Sequence, residues 1–193
     1  VYEAICKAAN EVDFSDYDND GDGYVECIHV LFAGQGQNED GAPDEAIWPH
    51  QSTMFAIYRD TVCISSYILT PEKYQNNYRG IGTICHELGH IFVAPDFYDT
   101  KNDTFPGTGS WDLMGDGSWN GTVIINDSST YGFYPAHPNP YIKKEIFGWI
   151  ETIDEVSGND SLYKLRPAEL DSNSIYKLST STNGEYYLLE NRQ

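Results

Sequence analysis

The segment that most constrains the fold is a predicted helix that carries two histidines and ends at a proline. Its apolar residues recur at helical spacing between about residues 78 and 93, and Pro95 then stops the helix. His86 and His90 are four positions apart, so their imidazoles project from one face of the helix, one turn apart. One metal ion can therefore bind both side chains, whereas the alternative is a buried helix with two hydrogen-bonded histidines.

A glutamate beside the first histidine and a carboxylate beyond the helix extend this candidate site. His86, Glu87 and His90 form an HExxH pattern, in which two histidines bind zinc and the glutamate acts as general base on a metal-activated water. A catalytic zinc also needs a third protein ligand and an open position. Asp96 is the first candidate, because a chain that turns back after the helix brings its carboxylate to the ion. Asp99 is the second candidate, with a cap or a hydrogen-bond partner of the site as its alternative role.

The acidic loop near the start of the chain is a candidate calcium site. It reads DYDNDGDGYVE, and its carboxylates follow the spacing of the first half of an EF-hand loop, although His29 stands where the last glutamate belongs. Carboxylates this close repel one another without a cation, and a solvated acidic turn is the alternative. The sequence therefore predicts a calcium loop outside the EF-hand fold. Its candidate ligands are Asp18, Asp20, Asp22, the Tyr24 carbonyl and Glu26.

Composition disfavours several classes of function. Thirty acidic residues against 11 lysines and arginines give a net charge of -19, which disfavours binding to nucleic acid. No apolar run is long enough to span a membrane. The four cysteines lack CxxC spacing, which disfavours a zinc ribbon. Because the chain starts at Val1 and stops after EYYLLENRQ, we expect it to be a fragment of a longer protein.

Several motifs together resemble the M6 family of metallopeptidases, the immune inhibitor A-like secreted bacterial proteases. They are CHELGH, PDFYDT, SWDLMGDGSW, HPNPYIKKEIFGWI and EYYLLENRQ, in that order. The resemblance implies a zinc endopeptidase of metzincin type, with His86, His90 and Asp96 as ligands and Glu87 as general base. It also implies calcium in the acidic loop, and a Met-turn at Met114 that forms an apolar floor beneath the ligands. For Met114 alone, core filling is the alternative.

One position departs from the family pattern HExxHxxGxxD. Val93 stands where the family has glycine. Glycine readily adopts a positive φ where a helix turns back, whereas a β-branched residue resists it. The departure predicts that the turn is built differently, that its backbone is strained, or that the ligand geometry is altered.

The predicted architecture is an α+β, metzincin-like domain with a twisted sheet and an active-site helix. We expect one catalytic domain over residues 1–193, with an upper subdomain over about 1–95 and an irregular lower subdomain over about 96–193. Strands are predicted over 24–32, 61–69, 161–168, 174–180 and 185–191, with helices after Pro71 and over 139–150. An Asn-Gly pair predicts a type I′ hairpin between the last two strands.

Two hypotheses for function follow. The first is a zinc-dependent endopeptidase that acts on protein or peptide substrates, secreted or at the surface of a bacterial cell and expected to be monomeric. The second is a calcium-stabilised surface or adhesion module with a degenerate zinc site. Zinc content and cleavage of an unfolded protein distinguish them.

Overall fold

The computed structural model describes residues 1–75, 77–102, 104–125, 128–156, 165–171 and 174–192. Within these ranges the protein is α+β, with few helices and several small sheets. The chain divides into two compact units, Val1–His137 and Pro138–Gln193. The subdomain boundary predicted near residue 95 was placed at an expected substrate cleft, and it stays a prediction. No helix in the described ranges is long and apolar enough to cross a membrane.

A mixed four-stranded sheet forms the centre of the first unit. Strand β3 pairs in parallel with β1 and antiparallel with β2, and its end pairs with the short β4. The strands are β1 (Ile28–Gln35), β2 (His50–Arg59), β3 (Val62–Tyr74) and β4 (Asn77–Tyr78). The helix α1 (Tyr2–Ala8) adds Ile5 to a core with Phe14, Ile57 and Ile64. Burial of these apolar side chains is the main force that holds the sheet and helix together.

The strands differ from the predicted ones in three ways. The first begins at Ile28 instead of Tyr24, because the residues before it belong to the acidic loop. Strand β2 was not predicted, since the turn that joins it to β3 consists of Asp60 and Thr61, both with positive φ, and carries no Asn-Gly signal. The helix predicted after Pro71 is wrong, because Pro71 lies within β3 opposite Phe32.

The second helix, α2 (Gly82–Ile91), is shorter than the predicted 78–93. Residues before it make other bonds, since the N–H of Arg79 donates to the carbonyl of Glu72 in β3. Gly80 also packs so tightly that a Cβ there would lie 2.2 Å from the backbone of Gly132. Tertiary contacts therefore determine where the helix begins, although its apolar pattern extends further.

The rest of the first unit is mainly irregular, as expected for the residues after about 96. It contains short 3₁₀ turns and a hairpin of β5 (Val123–Ile125) and β6 (Ser128–Thr130). In its tight turns, Trp119 and Tyr131 both contact the Tyr74 ring edge-on. Such aromatic contacts stabilise a segment that lacks long helices and strands.

The second unit contains a helical turn and a small sheet. The predicted helix over 139–150 is a π-helical turn, Ile142–Ile146. The sheet has the order β7 (Asp154–Glu155), β8 (Ile175–Ser179), β9 (Tyr186–Glu190). The hairpin between β8 and β9 is confirmed, but its turn is not type I′, because Asn183 lacks a positive φ. The first half of the strand predicted over 161–168 lies outside the described residues.

Candidate metal centre

The turn after α2 brings the chain back towards the histidines through a left-handed residue. Val93 has φ 60°, and its N–H donates to the carbonyl of His90 over 3.0 Å. The N–H of Ala94 donates to the carbonyl of Gly89 over 3.0 Å. These two bonds around a left-handed residue are a Schellman motif, in which glycine is the usual residue. Valine thus adopts the conformation that the family pattern assigns to glycine, and the backbone is strained at that point.

Three potential ligand atoms converge on the same face of α2. The Nε2 atoms of His86 and His90 lie 3.2 Å and 3.3 Å from Oδ1 of Asp96. Burial alone would raise the pKa of Asp96, but the two histidines outweigh it and hold that pKa well below its usual range. The carboxylate is therefore ionised and lies between the two rings.

The hydrogen bonds of the two rings determine which nitrogen of each ring faces the carboxylate. Nδ1 of His86 lies 2.9 Å from the carbonyl of Leu113, and Nδ1 of His90 lies 2.8 Å from the carbonyl of Ala94. A carbonyl only accepts, so each Nδ1 donates a proton to it, and the Nε2 of each ring is left to face the Asp96 carboxylate. Oδ1 of Asp96 is buried and has no hydrogen-bond partner within the described residues. Two imidazoles and one carboxylate oriented in this way fit a tetrahedral zinc site with one open position.

Asp99, the second candidate ligand, is engaged in a different way. Its carboxylate accepts the N–H groups of Lys101 and Asn102 at 3.0 Å and 3.1 Å and the hydroxyl of Thr104 at 2.7 Å. The Thr104 hydroxyl and these N–H groups lower the pKa of Asp99 to about 2. The structure thus brings Asp96 to the histidines and places Asp99 as the cap of the following loop.

A buried methionine packs directly under the metal-binding helix. Met114 is 0% exposed, and a Cβ added at Gly89 would lie 2.5 Å from its sulfur. The same turn accepts hydrogen bonds at two carbonyls, from His86 at Leu113 and from the N–H of Phe97 at Met114. Only a glycine at position 89 permits this close approach, and the turn orients both a histidine and the segment that follows Asp96.

Glu87 opens onto a cleft of about 230 Å³ beside the histidines. Burial raises the pKa of Glu87, against the opposing influence of His86 and His90. Tyr98 stacks on the His86 ring with centroids 6.3 Å apart and also lines the cleft. The other lining residues are Asn38, Trp48, Pro49, Thr83, Gly115, Asp116, Ser118 and Trp119.

A buried ion pair supports one wall of this cleft. Glu39 and Arg79 pair with side chains that are 0% and 5% exposed. The Arg79 guanidinium also lies 4.5 Å from the centroid of the Trp119 ring. Burial raises the pKa of Glu39 and lowers that of Arg79, and their mutual attraction opposes both shifts. The sequence analysis missed this pair, since residues 40 positions apart carry no local signal.

The acidic loop brings three of its candidate ligands together. One carboxylate oxygen from each of Asp18, Asp20 and Asp22 lies within 4.8 Å of the others. Glu26 is not in this group, because its carboxylate accepts the N–H of Asn19 at 2.8 Å. Tyr24 donates its own N–H to Asp22, and Oδ1 of Asp18 is buried with no hydrogen-bond partner in the described part of the chain. The clustered oxygens and the unpaired one fit a hard cation such as calcium.

Comparisons with known proteins show the family of the chain. Residues 9–150 match the family model of the immune inhibitor A peptidase M6 catalytic domain, and they include every candidate site residue. Immune inhibitor A of Bacillus thuringiensis subsp. alesti is 29% identical over 156 residues, which are 70% of this chain and 21% of that relative. The pre-pro-metalloprotease PrtV of Vibrio cholerae serotype O1 (strain M66-2) is 27% identical over 130 residues, 56% of this chain and 14% of that relative. The chain thus spans about a fifth or less of these relatives, and the family model covers most of it. The chain belongs to the M6 peptidase family.

Proposed function

We propose that this chain is part of the catalytic domain of a zinc-dependent endopeptidase of metzincin type that hydrolyses peptide bonds of proteins. The observation that carries the proposal is the convergence of two histidine Nε2 atoms on one carboxylate oxygen, with each Nδ1 held by a backbone carbonyl. Two imidazole nitrogens and one carboxylate oxygen at this separation are the ligand types and number that a catalytic zinc takes from the protein. His86, His90 and Asp96 would hold the zinc ion, and membership of a peptidase family supports hydrolysis as the reaction.

Glu87 is the proposed general base. Zinc, when bound, supplies an electrophile that activates water and polarises the carbonyl of the scissile peptide bond. Glu87 takes the proton from the attacking water and then passes it to the leaving amine. Its raised pKa suits the first step, because a more basic carboxylate accepts the proton more readily.

Met114 is proposed to form the Met-turn beneath the metal. Support comes from its complete burial and from its contact with α2 at Gly89. The neighbouring Leu113 carbonyl accepts the Nδ1–H of His86 and thereby orients that ring. The turn would therefore position a ligand in addition to filling the core.

The decisive experiment compares Glu87→Ala with the parent chain. We expect the parent to cleave casein and to contain about one zinc per chain. Glu87→Ala should keep the zinc and lose cleavage by at least about a hundredfold, which is the usual contribution of a general base. Glu45→Ala, which removes an exposed carboxylate of the loop after β1, should leave both properties unchanged. Normal cleavage by Glu87→Ala would refute the mechanism.

Calcium is proposed as a second, structural ion in the loop of Asp18, Asp20 and Asp22. The clustered carboxylate oxygens and the buried, unpaired Oδ1 of Asp18 support this assignment. The Tyr24 carbonyl remains a candidate ligand, whereas Glu26 reaches the ion only if it gives up its bond to Asn19. Oxygen ligands of this kind and number suit calcium better than zinc.

Membership of a peptidase family favours the enzyme over the alternative of a calcium-stabilised adhesion module. Bound zinc without cleavage of any unfolded protein would reverse that preference. We further propose that the protein acts outside the cell or at the surface of a bacterial cell, as the family resemblance suggests, and that it is a monomer. Secretion can be tested by detection of the full-length protein in culture supernatant.

A further inference from the structure

The lining of the cleft beside Glu87 combines aromatic rings with polar side chains, two of them carboxylates, and its described residues include no lysine or arginine. Trp48 and Trp119 contribute aromatic surface, and Pro49 adds further apolar surface. Asp116 contributes an exposed carboxylate, and among the described residues neither lysine nor arginine lines the cleft. Arg79 lies over Trp119 but is neutralised by its ion pair with Glu39. The lining therefore lacks any unpaired positive charge from a side chain.

Asn38 adds an unsatisfied acceptor to this lining. Its Oδ1 is buried and has no hydrogen-bond partner within the described part of the chain. Gly36 allows this position, since a Cβ there would lie 2.6 Å from the same oxygen. Glu39, the next residue, is held by Arg79 and by the N–H groups of Gly36 and Gln75. A buried carbonyl oxygen without a donor is unfavourable, and Asn38 lines the cleft, so rotation of its amide towards a donor in the cleft would satisfy this oxygen.

The size of the cleft suits one long side chain. Its volume of about 230 Å³ corresponds to roughly seven or eight water molecules at about 30 Å³ each. A lysine or arginine side chain combines an apolar stem, which can lie against the tryptophans, with a cationic tip that only donates hydrogen bonds. Tryptophan rings also attract a cation placed over them. The net charge of -19 additionally attracts basic peptides at long range.

We propose that this cleft binds a lysine or arginine side chain at one fixed position beside the scissile bond. Asn38 and Asp116 are the specificity-determining acceptors, and Trp48 and Trp119 form the walls. The inference rests on the proposed endopeptidase function, because it assigns a preference to the same site.

The test is a cleavage-site profile of the zinc-loaded chain on a synthetic peptide library, with sites identified by mass spectrometry. Lysine and arginine should be enriched at one position, and kcat/KM for a lysine peptide should exceed that for its norleucine counterpart by roughly tenfold. Asn38→Leu and Asp116→Asn should each reduce this ratio. Asp44→Asn, which neutralises an exposed carboxylate outside the cleft, should keep it. Asp116 is exposed, so its variant tests the proposal even if Asn38→Leu does not fold.

The outcomes distinguish the proposed side-chain specificity from the proposed endopeptidase activity. Cleavage of casein and of library peptides without enrichment of basic residues overturns the specificity but leaves the endopeptidase intact. Enrichment that survives both Asn38→Leu and Asp116→Asn overturns the assignment of these residues. A folded, zinc-loaded chain that cleaves neither casein nor any peptide overturns the proposed function and this inference with it.

Discussion

Val93 shows how one residue can carry strain at a turn that the candidate site requires. The Schellman motif positions Ala94, whose carbonyl accepts the Nδ1–H of His90, and leads the chain to Asp96. The Val93 side chain is 77% exposed, so packing contributes little to keep its backbone left-handed. The conformation persists because the bonds around it are retained, and the site geometry survives the loss of the family's glycine.

Replacement of Val93 by glycine should stabilise the protein. Left-handed backbone costs an L-residue about 1–2 kcal/mol, and the entropy of glycine in the unfolded chain offsets about 0.5–1 kcal/mol of that gain. We expect Val93→Gly to raise the Tm by roughly 2–3 °C in a scanning calorimeter. Val93→Ala keeps a Cβ and should gain less. A Tm of Val93→Gly below that of the parent would contradict the strain argument.

Asp99 should make the stability depend on pH in a narrow acidic window. Its folded pKa, about 2, lies below the usual value, so the ionised form stabilises the folded state. That contribution is complete above the pKa of the unfolded chain, about 3.9, and is lost as the pH falls towards 2. Asp99→Asn should lower the Tm at pH 7, and the difference should vanish near pH 2, where the protonated acid resembles the amide.

The comparison is best made by recording the Tm from pH 7 to pH 2 for Asp99→Asn, the parent and Glu11→Gln, a change of an exposed carboxylate in another loop. A Tm difference for Asp99→Asn that is constant across the whole range would show that Asp99 acts through packing instead of charge.

At the scale of elements, the loop after β1 and the end of β3 are joined through Glu39. Its carboxylate accepts N–H groups of Gly36 and Gln75 and pairs with Arg79 just before α2. Through Trp119, Arg79 also reaches the irregular segment that carries Asp116. Elements distant in sequence thus meet around one buried charge pair, and the loop after β1 and the irregular segment line the same cleft.

Loss of one partner of this pair should strongly lower the stability of the protein. Glu39→Gln leaves the Arg79 guanidinium buried without its counter-charge, which costs about 3–5 kcal/mol in comparable cases. We expect the free energy of unfolding in urea to fall by about that amount. Glu45→Gln, at an exposed position of the same loop, should change it by less than about 0.5 kcal/mol.

The double variant Glu39→Met with Arg79→Met tests the cause. Removal of both charges should lose less stability than Glu39→Gln, because no buried charge stays unpaired. A double variant that is as unstable as the sum of the single variants would show that the pair contributes mainly through packing.

At the scale of the whole molecule, calcium should contribute to the stability of the first unit. The acidic loop lies between Phe14 of the core and β1, so a cation there would hold the loop against the sheet. An ion at a hundredfold excess over its Kd adds about 2.7 kcal/mol to the folded state. Its removal by EGTA should therefore lower the Tm by roughly 5–10 °C.

Because EGTA can also remove zinc, the measurement needs addition of each metal back to the chelated protein. Calcium, and not zinc alone, should restore the Tm. Asp20→Asn should reduce the response to calcium, whereas Asp44→Asn should retain it. An identical melting curve with and without chelator would refute the proposed structural calcium ion.

The sequence by itself determined the features that depend on near neighbours along the chain. His86, Glu87 and His90 share a helix face because the helix repeats every 3.6 residues, and Asp18, Asp20 and Asp22 cluster because a short loop cannot separate them. Such patterns are visible without any knowledge of the fold. They sufficed to bring together His86, Glu87 and His90, and Asp18, Asp20 and Asp22, and to indicate the α+β class, but they also included Glu26, whose carboxylate accepts the N–H of Asn19 instead.

Only the tertiary structure decided what depends on distant contacts. It oriented both imidazoles through the carbonyls of Leu113 and Ala94 and engaged Asp99 in its own loop. Tertiary contacts also determine that α2 begins at Gly82 and that Glu39 pairs with Arg79 behind the cleft. These features follow from close packing and from the pairing of buried polar groups. Both involve residues tens of positions apart, so they leave no local pattern in the sequence.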